Sequence, residues 1–133
     1  MAIDGLTTLR SSVSPEETAE RLEAALLAKG LSVFARVDHA AGAAAVGLPL
    51  RPTLLMIFGN ARGGTPLMQA RQSVGIDLPL KALIWQDDSG TTWLSYNEPA
   101  WLAARHGLGP GEQGTVHALA AALAALGASA TQA

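Results

Sequence analysis

Apolar and polar positions alternate along this chain with two periods, and the switches between them mark out its elements. The sharpest helical stretch opens at Ser14-Pro15-Glu16-Glu17, where Ser14 is placed to cap, Pro15 suits the first helical position and Glu17 can close a capping box. Ala19, Leu22 and Leu26 follow at helical steps, with Ala25 beside them. Lys29 suits the negative end of that helix, and Gly30 ends it. Gly5–Ser11 ahead of the helix and Leu31–Val37 behind it read as strands, the second with Val33, Ala35 and Val37 on one face.

His39–Val46 is alanine-rich and predicts a turn or two of helix before Gly47. Thr53–Phe58 is a continuous apolar run, as a central strand buried on both faces would be. A glycine-rich turn follows over residues 59–64, after which Thr65-Pro66 reads as the cap and first residue of a helix to about Arg71. Lys81–Asp87 and Thr91–Asn97 form a hairpin around Asp88-Ser89-Gly90, a register that sets Trp85 against Trp93 and Lys81 against Asn97. Pro99–His106 reads as a helix stopped by Gly107, and Gly109-Pro110-Gly111 as a hinge. Val116, Leu119, Leu123 and Leu126 make a narrow seam on a last, alanine-rich helix. Glu112 is the only charged residue beyond Pro110, so that helix is expected to pack closely on the domain or on a partner subunit.

Composition narrows the chemistry. At 133 residues with 49% apolar and 15% charged side chains, the chain is sized and composed for one folded domain. The net charge of −2 supplies no general basic field, so nucleic-acid binding is not expected. The absence of cysteine removes disulfides and thiolate chemistry. No secretory signal is read at Met1–Leu9, and no apolar run approaches the ~20 residues of a membrane span, so a cytoplasmic protein without membrane contact is expected.

Candidate chemistry falls in three places. The Gly59–Thr65 turn, with Asn60, Arg62 and Thr65, sits between a strand and a helix start where an anion could be held; it lacks the lysine of a phosphate loop and the spacing of a dinucleotide loop. His39 follows Asp38 at a strand end, while His106 and His117 have ordinary structural explanations, and no histidine has metal-ligand spacing. Asp77, Lys81, Tyr96, Asn97 and Glu98 gather at the hairpin base, where a carboxylate, an amine and a phenol could do acid–base work. No Ser–His–Asp pattern is legible.

Several strings together carry a family likeness: Asp38-His39, Leu50-Arg51-Pro52, Phe58-Gly59-Asn60, Gly64-Thr65-Pro66-Leu67-Met68, Asp77-Leu78-Pro79-Leu80-Lys81, Trp85, Ser95-Tyr96-Asn97-Glu98-Pro99 and Arg105-His106. Over roughly Gly5–Leu108 the chain resembles the domain of unknown function 302 family, departing from its pattern at Ala61 and Gln72, where proline is usual. The resemblance implies an α+β fold: an antiparallel sheet with helices on one face, in a β-α-β(4)-α core like one repeat of the TATA-binding-protein fold, often dimeric. Residues 1–108 are then one domain, and residues 109–133 a hinge and an extra C-terminal helix. The resemblance brings no catalytic residue, substrate or cofactor.

Three roles are in view. The first is a homodimeric module binding a small molecule or anion through His39, Asn60, Arg62, Thr65, Asp77, Lys81, Tyr96 and Asn97. The second is a small acid–base enzyme using Asp77, Lys81, Tyr96 or His39, which no complete catalytic motif supports. The third is a purely structural dimerisation module.

Overall fold

The protein is described by a computed structural model over residues 2–132. Five strands, β1 (Leu6–Ser11), β2 (Ser32–Asp38), β3 (Thr53–Gly59), β4 (Leu80–Gln86) and β5 (Thr92–Asn97), form one sheet in the order β1-β5-β4-β3-β2. Every neighbouring pair is antiparallel. The helices are α1 (Pro15–Ala28), α2 (His39–Ala45), α3 (Ala61–Ala70), α4 (Pro99–Arg105) and α5 (Gln113–Thr131), with 3-10 turns at Gln72–Asp77 and Pro110–Glu112. This is the α+β fold expected, and the C-terminal helix is present.

Strand alternation decides which side chains meet the helices. Met56, Phe58, Ala82, Ile84, Leu94 and Tyr96 face Ala19, Leu22 and Leu26 of α1 and Leu123, Leu126 and Ala130 of α5 in the main core. A second cluster joins Leu67 of α3, Val74, Ala103 of α4 and Val116 of α5. The opposite sheet face carries Leu55, Leu83, Trp85 and Trp93, and around β4 and β5 it lies open. Trp85 does pair with Trp93, their rings stacked at 6.2 Å.

Several local expectations are corrected. Ser14 caps α1 by accepting from the Glu17 N–H at 3.1 Å, but the Glu17 carboxylate reaches forward to Arg21 rather than back. The helix expected from Thr65 begins at Ala61, because Asn60 Oδ1 accepts from the Gly63 N–H at 2.8 Å and carries Gly63 and Gly64 into the first turns. Asn60, not Thr65, is the cap. The last helix runs past Leu126 to Thr131, whose carbonyl accepts from the Ser12 N–H and hydroxyl, both at 2.8 Å.

The stretch Pro110–Thr131 is, against expectation, long and apolar enough to cross a membrane by length and composition alone. Its buried stripe, Val116, Leu123, Leu126, Gly127, Ala130 and Thr131, packs instead inside the fold. Gly127 makes this possible: a Cβ there would lie 2.7 Å from Leu9 Cδ1 of β1.

Candidate ligand-binding cavity

Between the two core clusters the packing leaves a gap. The cavity holds about 480 Å³, within the ordinary range for small-molecule sites. One wall is α3, with Ala61, Gly63, Gly64 and Met68; the facing wall is α5, with Leu119, Ala122, Leu123 and Leu126. Leu78, Pro79 and Leu80 close one side, and Leu31 and Phe34 the other. Among the described residues Asn60 and Thr65 are the only polar side chains at the wall, and Asn60 Oδ1 is already taken by the α3 cap.

Two glycines widen the space on the α3 side. A Cβ on Gly63 would come no nearer than 3.5 Å to Asn60 Oδ1, and one on Gly64 no nearer than 3.5 Å to Leu78 Cδ1. Neither glycine has a positive φ. Alanine would fit at both positions and favour the helix by up to about 1 kcal/mol each. The glycines are therefore required by neither sterics nor backbone, and what they provide is volume.

The structure divides the other sequence candidates. Asn60 and Thr65 line the cavity, whereas Arg62 is exposed on α3 and does not. His39 is exposed at the start of α2, away from the rest. Lys81 and Asn97 share the open sheet face, as their register requires. Tyr96 projects the other way, into the main core, where its ring lies close to Gly127. Burial, and then the nearby Glu98 carboxylate, raise its phenol above the ordinary tyrosine range, with a bond to Thr7 opposing them. The Thr7 hydroxyl donates to Glu98.

Asp77 enters a cluster that spacing did not reveal. Its carboxylate accepts from Arg105 Nη1 through both oxygens, at 3.0 and 2.9 Å, and lies 2.5 Å from His106 Nε2. Ser73 Oγ is 2.9 Å from the other ring nitrogen of His106. The constituents of a Ser–His–Asp triad are thus in contact, contrary to the sequence expectation. The Asp77 carboxylate is shared with Arg105, so it is not given over to the histidine alone. The cluster ties the Gln72–Asp77 turn to α4. Of Asp77, Lys81, Tyr96 and His39, only Lys81 and Tyr96 border one basin; Asp77 is held by Arg105 and His106, and His39 is exposed at the start of α2.

The sequence pattern of the family described as Domain of unknown function DUF302 matches residues 7–126, reaching through most of α5. The crystal structure of an uncharacterized conserved DUF302 protein from Bacillus stearothermophilus superposes with a TM-score of 0.82 at 24% identity, covering 93% of this chain and 96% of that one; it speaks for the fold. Two proteins named Fluoride-specific ion channel FluC 1, from Brucella suis biovar 1 and Brucella abortus biovar 1, are 54% identical over 105 residues, 79% of this chain. The chain spans only 41% and 39% of those relatives' lengths.

Proposed function

Since the chain belongs to the domain of unknown function 302 family, whose description assigns no activity, we propose a function from its geometry: it is a binding module for a small apolar molecule. The observation that carries this reading is the 480 Å³ cavity with carbon-lined walls, bordered on α3 by two glycines that the backbone does not need. Such walls reward an apolar guest through burial, at about 25 cal/mol per Å². No cation lines the wall, so an anion is the poorer fit. One neutral polar group on the ligand could meet the Thr65 hydroxyl or the Asn60 amide.

The test uses N-phenyl-1-naphthylamine, a neutral probe whose emission rises in apolar surroundings. Saturable binding to the wild-type protein is expected, with weaker binding by Gly64→Ala. The same substitution is expected to raise the unfolding free energy by up to about 1 kcal/mol, because alanine is the better helix former. Greater stability with lost binding would mark the glycine as kept for the site. A wild-type protein that never binds the probe sinks the reading.

The fluoride-channel relatives favour a second role, as a ligand-responsive domain acting beside a channel. Its support is the 54% identity over about two-fifths of those chains. Fluoride itself is not the expected ligand, since a carbon-lined cavity cannot replace the hydration shell of a small anion. A ¹⁹F NMR titration with sodium fluoride is expected to leave the resonance unchanged; saturable broadening would place fluoride binding in this domain.

We further infer that the working unit is a homodimer joined along β2. This strand ends the sheet, and among the described residues its outer backbone groups have no strand partner. Phe34, Val37, Val46, Leu48 and Leu50 expose 55, 38, 71, 62 and 50% of their surface on and after this edge. The strand's charges are spoken for: Arg36 lies by Glu23, and Asp38 caps α2 through the Ala41 N–H. An antiparallel edge whose charged side chains already have partners in their own chain is complementary to itself about a two-fold axis.

A further inference from the structure

The open sheet face holds a second basin, of about 430 Å³, that the apolar-ligand reading leaves unused. Its floor is Leu55, Leu83 and Trp85 of β3 and β4, with Leu6 of β1 at the side. Lys81 and Asn97 stand together at one end, in the register that pairs Ala82 with Tyr96. Among the described residues no acidic one lines the basin. Among the described residues Lys81 makes neither an ion pair nor a side-chain hydrogen bond, and the Asn97 amide makes none either.

The remaining polar groups of the floor are occupied. Trp85 Nε1 donates to Ser95 Oγ at 3.0 Å, and Ser95 Oγ is also 2.9 Å from Thr8 Oγ1. The basin therefore offers a flat apolar floor and, at one end only, an uncompensated ammonium beside a free carboxamide. We propose that it binds an aromatic monocarboxylate: the ring lies on Leu83 and the Trp85 edge, and the carboxylate accepts from Lys81 Nζ and the Asn97 amide. A single cation and one amide suit a monoanion better than a phosphate dianion. A second copy stacked on this face fits less well, since it would cover Lys81, which has no acid beside it in the basin.

The probe is 1-naphthoate, followed by tryptophan quenching and by isothermal titration. Saturable binding is expected, with affinity reduced roughly tenfold or more in Lys81→Met and held within a few-fold in Lys81→Arg, as loss of a charge-assisted bond requires. 1-Naphthalenemethanol, which keeps the ring and lacks the charge, should bind more weakly and ignore Lys81→Met. Gly64→Ala should leave naphthoate affinity unchanged, which separates this basin from the apolar cavity. No saturable naphthoate binding, or equal affinity in wild type and a folded Lys81→Met, overturns the proposal. If Lys81→Met does not fold, Asn97→Leu takes its place with the same expected loss, and an unchanged affinity there overturns it equally.

Discussion

Gly5 shows how one residue can be fixed twice, by its backbone and by its neighbour. Its φ is +76°, and a Cβ there would sit 2.4 Å from Cγ and Cδ2 of the Trp101 indole. Gly5→Ala must strain the backbone and push a rigid ring, so a loss of about 1–3 kcal/mol is expected. In urea denaturation the midpoint should fall with the slope unchanged, and Trp101→Ala in the same chain should recover the steric part. Tyr96 gives a second expectation at this scale. It is the only tyrosine, so its ultraviolet titration is unambiguous. Burial raises its folded pKa above the unfolded value of about 10, so the folded state holds the proton more tightly. That stability is complete below pH 10 and is lost as pH rises through the folded value. Phenolate absorbance should therefore appear above pH 10, and Tyr96→Phe should remove this contribution to alkaline unfolding. The residue types at the hairpin base were legible in sequence, and so was the Lys81–Asn97 pairing. The contacts of Asp77 were not, because His106 is 29 positions from it and only the fold brings them together.

At the scale of elements, legibility followed the size of the side chains. Leucine and valine steps marked α1, and the Trp85–Trp93 pairing followed from the loop length between two alternating strands. Where small residues dominate, the signal faded. Gly63 and Gly64 read as turn because glycine is a poor helix former, yet the Asn60 cap commits them to α3. The end of α5 was missed for a related reason: Ala130 and Thr131 are buried by close approach, which no large apolar residue announces. The β4–β5 hairpin supports a further expectation. Asp87 accepts from the Trp93 indole N–H at 2.9 Å and from the backbone N–H groups of Thr91 and Ser89 at 2.9 and 3.0 Å. These bonds, Trp93 first, hold its carboxyl below the ordinary value of 3.8. The proton is thus bound more weakly in the folded state, and the stabilisation is present above pH 3.8 and fades as pH falls through the folded value. Carboxyl-carbon NMR should follow that low titration, and Trp93→Phe should raise it.

For the whole molecule, the cavity and the exposed edge share a residue. Phe34 lines the apolar cavity and is 55% exposed on β2, so a copy paired along that strand would cover the cavity mouth. If the proposed pairing along β2 holds, it and ligand binding are expected to be coupled through Phe34. The cavity was not legible in sequence: FGN, GTPLM and DLPLK marked the right neighbourhood, but the opposite wall comes from α5, which follows DLPLK only after α4 and a hinge. Val37→Lys tests the arrangement without touching the cavity, because Val37 is on the edge but not in the lining. A lysine there sets two charges against each other across the two-fold axis and blocks edge pairing. Sedimentation velocity over a range of micromolar concentrations should show a wild-type dimer and a Val37→Lys monomer. N-phenyl-1-naphthylamine should bind the monomer more weakly, and its affinity for the wild type should rise with protein concentration as dimers form. A wild type that sediments as a monomer throughout rejects the dimer and leaves the cavity to be judged by probe binding alone. Equal probe affinity in dimer and monomer would separate the two, and Phe34 would then serve the ligand only.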